Sequence, residues 1–132
     1  MPRVLVVDDE PRIAQSLMRL FKRSIRLVAE TDGASTLQRL VHDRDFDVIL
    51  CDLTMQGMSG VQLFQELQRL YPSLARRVVF STGGTFGPGT KAFLDSVGNP
   101  VVEKPFDDLQ LWALMCEVVR RTGGQPVDGS GA

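Results

Sequence analysis

The chain has 132 residues, which suits a single domain with a real hydrophobic core. Its formal net charge of −1 provides no strong field for nucleic acid or an anionic membrane. No apolar run approaches the roughly 20 residues that span a bilayer, and the run 4–7 is too short for a signal peptide. We therefore expect a cytoplasmic domain without direct nucleic-acid or membrane contacts, in which Cys51 and Cys116 are buried free thiols.

Short apolar runs alternate with stretches of helical periodicity along the chain. Runs bounded by turn residues predict strands at 3–7, 25–29, 47–51, 77–81 and 99–103. Helical spacing gives three clear apolar stripes between them: Ile13, Leu17, Leu20 and Phe21; Leu37, Leu40 and Val41; and Val61, Phe64, Leu67 and Leu70. A short helix is expected around 91–97. A last helix, capped by Asp107 or Asp108, carries Leu111, Leu114, Met115, Val118 and Val119.

This alternation predicts an α/β fold, a flavodoxin-like doubly wound sandwich of five strands and five helices. The expected order of the parallel sheet is 2-1-3-4-5, which puts strands one and three side by side at the switch point. We expect the domain to cover residues 1–121. Residues 122–132 have the glycine-rich composition of a flexible tail or linker.

The polar residues that follow these strands are the candidate functional site. Asp52 comes directly after the unbroken apolar run of the third strand, and Asp8 and Asp9 follow the first. Thr82 closes the fourth strand and Lys104 closes the fifth. Because open α/β sheets bind ligands at the carboxyl ends of their strands, we expect these side chains to border one pocket.

Such a set of residues suits phosphoryl transfer. Clustered carboxylates repel one another unless a cation lies among them, and oxygen ligands with several waters suit Mg²⁺. A carboxylate beside Mg²⁺ can attack a phosphoryl group and form an acyl phosphate. Lys104 would add positive charge and Thr82 a hydrogen bond to the phosphoryl oxygens.

Four motifs in chain order resemble the receiver domain of bacterial two-component response regulators, over essentially residues 3–121. They are Val-Val-Asp-Asp-Glu at 6–10, Asp-Leu-Thr-Met with two glycines at 52–60, Ser-Thr-Gly at 81–83 and Lys-Pro-Phe at 104–106. The resemblance implies that Asp52 is the phosphoacceptor. It also implies that a sensor histidine kinase or phosphotransfer protein is the donor, and that a downstream protein reads the phosphorylated state.

The resemblance also assigns the other site residues. It implies that Mg²⁺ is held by Asp8, Asp9, Asp52 and the backbone carbonyl of Thr54. Thr82 and Lys104 would contact the phosphoryl group, and the peptide bond from Lys104 to Pro105 would be cis.

The sequence departs from the family pattern in places that leave alternatives open. Gln56 and Ser59 stand where proline and an acidic residue are usual, and Val101 stands where signalling receivers often carry a mobile aromatic residue. The motifs look more like receivers of hybrid sensor kinases than those of transcription factors. One alternative is an interaction module that works without phosphorylation. A phosphohydrolase with an aspartate nucleophile is the other, although Thr54 stands where such enzymes carry a second acid.

Overall fold

The computed structural model describes residues 1–123 as five strands and six helices around one parallel sheet. The strands are β1 Arg3–Val7, β2 Arg26–Glu30, β3 Val48–Asp52, β4 Val78–Thr82 and β5 Val101–Glu103. The helices are α1 Pro11–Phe21, α2 Gly33–His42, α3 Gly60–Leu70, α4 Pro72–Ala75, α5 Pro88–Val97 and α6 Asp108–Thr122. The sheet order β2-β1-β3-β4-β5 confirms the predicted doubly wound topology.

Alternate residues of the strands build two hydrophobic layers, one on each face of the sheet. Leu5, Ile49 and Phe80 face α2, α3, α4 and α5. Val6 and Leu50, which are neighbours of these residues, face α1 and α6. Because both faces are covered, β1, β3 and β4 are almost continuously apolar and buried. This burial fixes the register of the strands, and so it fixes which residues reach the carboxyl edge.

The structure corrects several predicted boundaries. β2 begins at Arg26 rather than at residue 25, and β3 begins at Val48. α5 begins at Pro88, three residues before the predicted start, because proline suits the first helical turn. The one-turn helix α4 begins at Pro72, which the sequence had indicated only as the end of the preceding helix. Among the described residues there are thus six helices, rather than five.

Some predictions of burial were also wrong. Leu20 and Val41 lie at the outer margin of their apolar stripes and are exposed. Cys51 is a buried free thiol as expected, but Cys116 lies on the exposed side of α6. Within residues 1–123, no helix combines the length and the hydrophobicity needed to cross a membrane.

The last helix extends one residue beyond the predicted domain boundary. Thr122 is buried, and its carbonyl oxygen accepts a hydrogen bond from Nη2 of the buried Arg77 at 3.1 Å. Arg77 Nη1 also bonds the carbonyl oxygen of Phe46 at 3.3 Å. These bonds tie the end of α6 to the amino-terminal edge of the sheet, so Thr122 belongs to the domain. The rest of the predicted tail, from residue 124, lies outside the described residues.

Candidate functional site

Three carboxylates meet at the carboxyl edge of β1 and β3. The strands pair in parallel, with Val7 opposite Cys51, so Asp8 and Asp52 leave the sheet side by side. One oxygen each from Asp8, Asp9 and Asp52 lies within 4.8 Å of the others. Asp8 and Asp52 are buried and Asp9 is exposed, so the cluster opens to solvent on one side.

Lys104 lies against the two buried carboxylates. Its Nζ is 2.7 Å from Asp8 Oδ2 and 3.5 Å from Asp52 Oδ2. The β5 end reaches this position because the backbone N–H of Lys104 donates to the carbonyl oxygen of Thr82 at 2.8 Å. Burial lowers the pKa of Lys104, but its contacts with Asp8 and Asp52 outweigh this effect and leave the pKa raised. Lys104 is therefore a fixed positive charge at the site.

Asp52 is held less tightly than Asp8. Asp8 Oδ1 accepts a 2.9 Å hydrogen bond from the backbone N–H of Glu10, whereas Asp52 Oδ1 accepts only a long 3.4 Å bond from that of Thr54. Burial, followed by the charge of Asp8, raises the pKa of Asp52, and the nearby Lys104 only partly opposes this effect. Of the two buried carboxylates, Asp52 therefore accepts the weaker hydrogen bond. Less stabilisation is lost when one of its oxygens forms a new covalent bond.

The donor set fits a hard divalent cation. Three carboxylates face one ammonium, so the cluster keeps an excess of negative charge. Asp8 Oδ2 is buried without a hydrogen bond of good geometry from any described residue, and only the nearby ammonium compensates its charge. Oxygen ligands with an open side for water are what Mg²⁺ requires. The structure therefore brings together the predicted acidic ligands, whereas a ligand role for the Thr54 carbonyl oxygen stays a prediction.

Thr82 ends β4 at the same edge, but its hydroxyl is engaged elsewhere. Oγ1 donates to the carbonyl oxygen of Gly84 at 2.9 Å and lies 3.3 Å from the backbone N–H of that residue. Thr82 and Lys104 line a cavity of about 250 Å³ together with the glycine segment 83–85. For the hydroxyl to donate to a bound phosphoryl group, the bond to Gly84 must open.

The segment after β3 is positioned by a close backbone approach. A Cβ added to Gly60 would lie 2.2 Å from the Asp52 carbonyl oxygen, so only glycine fits there. The next helix is fixed by a capping box in which Ser59 and Gln62 exchange hydrogen bonds. The backbone N–H of Gln56 donates to Asp9 Oδ2 at 3.2 Å. This backbone contact was not predicted, because no side-chain signal in the sequence marks it.

Other local predictions concern the β5 end and the helices. The Lys104–Pro105 peptide bond is cis, as predicted. Asp107 rather than Asp108 caps α6, since its side chain accepts a bond from the backbone N–H of Gln110. Val101 is half-buried and packs against the layer that contains Phe80.

The model of the family "Response regulator receiver domain" matches residues 4–115. Among curated proteins, the chain is 32% identical over 130 residues to the probable transcriptional regulatory protein TcrX of Mycobacterium tuberculosis. That match covers 98% of this chain and 54% of TcrX. The chain spans only part of the length of similar curated relatives: 54% of TcrX and 16% of the hydrogenase transcriptional regulatory protein HoxA of Cupriavidus necator.

Solved structures of receiver-type proteins are also similar to this chain. The receiver domain of the Francisella response regulator 1452 has 25% identity and a TM-score of 0.77, with 92% of this chain and 99% of that chain covered. The chemotaxis protein CheY4 of Vibrio cholerae has 27% identity and a TM-score of 0.74, with 89% and 98% covered. The predicted likeness to receivers of hybrid kinases stays a prediction, because the curated relatives carry names of transcriptional regulators.

Proposed function

The chain belongs to the response regulator receiver domain family, and from this premise we propose that Asp52 accepts a phosphoryl group in a Mg²⁺-dependent reaction. A receiver of two-component systems is a signalling domain, and its site must supply the positioning and the charge for that transfer. The observation that carries the proposal is the contact of Lys104 with Asp8 and Asp52. Asp9 completes the acidic cluster, because one of its carboxylate oxygens lies within 4.8 Å of an oxygen of each of these aspartates.

In the proposed step, an oxygen of Asp52 attacks the phosphorus atom of a phosphohistidine. A phosphorus–oxygen bond forms and the phosphorus–nitrogen bond breaks, so the imidazole leaves with the electron pair and takes up a proton. Lys104 pairs with the phosphoryl oxygens, and Thr82 donates its hydroxyl once the bond to Gly84 has opened. Asp8, Asp9, Asp52 and the Thr54 carbonyl would hold Mg²⁺, which when bound neutralises charge on the transferred group.

We propose a sensor histidine kinase or a phosphotransfer protein as the donor and a second protein as the reader of the phosphorylated state. The family supports both roles, and the negative charge that phosphorylation adds at the site is the signal. We propose that the domain itself contacts neither nucleic acid nor membrane, since its net charge is only −1. We propose a cytoplasmic location for the domain, which is consistent with phosphorylation by a sensor histidine kinase or a phosphotransfer protein.

Intact mass spectrometry tests the assignment of Asp52. The protein is incubated with Mg²⁺ and acetyl phosphate, and we expect one phosphoryl adduct that is lost on hydrolysis at extreme pH. Asp52→Asn should abolish the adduct. Asp95→Asn, at an exposed aspartate on α5, is the matched control and should retain it.

An equal adduct on the Asp52→Asn variant would show that another residue is the acceptor. A wild-type protein without any adduct, also when a cognate kinase is supplied, would favour the interaction module that works without phosphorylation. Fast release of inorganic phosphate would favour the phosphohydrolase. Thr54 offers no acid for that reaction, so we expect a persistent adduct.

A further inference from the structure

One edge of the sheet lies open in β2. The backbone N–H of Arg26 donates to the Pro2 carbonyl oxygen, and the Glu30 carbonyl oxygen accepts from the Asp8 N–H. The backbone N–H and C=O groups of the even-numbered residues of β2 therefore point toward β1. Leu27 and Ala29 therefore point their N–H and C=O groups away from the sheet. Within residues 1–123, no other strand pairs with this edge. It offers two donors and two acceptors for a further strand.

An apolar groove follows the same edge. It has a volume of about 350 Å³ and is lined by Ala14 and Met18 of α1 and by Leu27 and Ala29 of β2, with Gln15 at its rim. Met18 is 43% exposed although it is a large apolar side chain. An edge with free backbone groups beside apolar side chains is the surface that β-augmentation uses.

We propose that this edge binds the β2 strand of a second copy of the chain, in antiparallel register about a two-fold axis at Val28. In this register Leu27 lies opposite Ala29 of the second copy, and the two residues exchange both backbone hydrogen bonds. The same pair recurs on the other side of the axis, so four hydrogen bonds form. The two five-stranded sheets become one continuous sheet, and both apolar grooves lie against the new strand pair.

Charge complementarity selects this partner and this register. β2 reads Arg-Leu-Val-Ala-Glu, with exposed Arg26 at one end and Glu30 at the other. The antiparallel pair centred on Val28 puts Arg26 opposite Glu30 of the second copy, twice. Glu30 Oε2 accepts from Arg39 Nε at 2.5 Å, which leaves Oε1 for the incoming guanidinium. A parallel pairing would instead put like charges opposite each other.

The proposed dimer leaves the phosphoacceptor sites open. Because the paired strands run in opposite directions, the carboxyl edges of the two sheets lie at opposite ends of the assembly. Asp52 of each copy therefore stays accessible to a donor. The dimer needs no phosphorylation, so its test is independent of the function proposed above.

Disulfide trapping at the two-fold axis tests the register. The Val28 residues form a non-hydrogen-bonded pair with Cα atoms about 4.5 Å apart, within the range for a disulfide. In a Cys116→Ser background, which removes the exposed thiol, Val28→Cys should give a covalent dimer under mild oxidation. Arg26→Cys is the matched control. Its two copies would lie roughly 13 Å apart along the strands, so mild oxidation should trap no covalent dimer.

Sedimentation of the wild type should show a dimer that forms with rising concentration. Ala29→Lys puts a charge into the groove at a position already exposed, so the fold should persist and the dimer should be lost. Ala92→Lys makes the same change on exposed α5, near the opposite edge of the sheet, and should leave the dimer unchanged. The proposal is overturned by a wild type that stays monomeric at high concentration, by loss of the dimer in Ala92→Lys but not Ala29→Lys, or by equal trapping of both cysteine variants.

Discussion

The end of β3 and the segment after β4 belong to the same site but differ in how tightly they are packed. At the β3 end, a Cβ on Gly60 would meet backbone atoms of Asp52 at 2.2 Å. In the β4–α5 segment, a Cβ on Gly83, Gly84 or Gly87 would meet nothing within 4 Å. The comparison indicates that packing fixes Asp52, the proposed phosphoacceptor. The segment that carries Gly84, the partner of the Thr82 hydroxyl, is the part with room to rearrange.

Replacement of glycine by alanine at both places should give the largest difference between the two segments. Gly60→Ala should lower the free energy of unfolding by about 3 kcal/mol or more, because backbone must move to admit the methyl group. Gly83→Ala should change it by less than about 1 kcal/mol, since the backbone there needs no left-handed conformation. Urea denaturation of the three proteins gives both values. Equal losses would mean that the two segments are packed alike.

Binding of Mg²⁺ should stabilise the protein through the packed side of the site, because the proposed ligands lie there. At ten times the dissociation constant, Mg²⁺ should stabilise the wild type by about 1.4 kcal/mol. Asp9→Ala removes an exposed ligand without opening the core, so this variant should fold but gain almost nothing from Mg²⁺. Thermal unfolding with and without the ion measures the difference. An equal gain in both proteins would place the ion elsewhere.

The raised pKa of Asp52 predicts a smaller, pH-dependent effect on stability without Mg²⁺. Burial and then Asp8 raise this pKa in the folded state, so the folded protein holds the proton more tightly than the unfolded chain. Stability is therefore lost as pH rises from the ordinary carboxyl range through the raised pKa. Asp52→Asn should remove that loss and be more stable than wild type by on the order of 1 kcal/mol at pH 7.

The difference between the two proteins should shrink as pH falls toward the ordinary pKa of aspartate, about 3.9. Denaturation at several pH values provides the curve. Asp95→Asn is the control, since this aspartate is exposed on α5 and pairs with Lys91. A wild type that is more stable than Asp52→Asn at neutral pH would show that Lys104 more than compensates the buried charge.

The strands and the convergence of the acidic residues could be predicted because both depend on local patterns. Unbroken apolar runs marked the buried strands, and parallel strands of this order must bring Asp8 and Asp52 to one edge. The ends of the fourth and fifth strands placed Thr82 and Lys104 at the same edge, the resemblance to receivers agreed, and the structure puts both there. The family match confirms the identification of the chain as a receiver.

The remaining features depend on contacts between distant residues or on the backbone alone. Thr122 looked like the start of a tail because its partner, Arg77, is 45 residues away in sequence. Cys116 is exposed because it lies off the apolar stripe of α6 that packs on the sheet, so the wrong prediction came from its apolar neighbours in sequence and not from the helical spacing. Nothing in the sequence could show that the Thr82 hydroxyl donates a hydrogen bond to the Gly84 carbonyl oxygen.

We expect that phosphorylation of Asp52 at the packed edge is read out in the loosely packed segment at residues 83–91. Hydrogen exchange with and without Mg²⁺ and beryllofluoride, a stable phosphoryl mimic, tests it most directly. We expect the largest changes in protection at residues 83–91, which include the first turn of α5, and smaller changes at Val101 to Glu103, because the stiff, half-buried Val101 has no ring to rotate. Changes centred on Val101 to Glu103, with residues 83–91 unchanged, would contradict the claim.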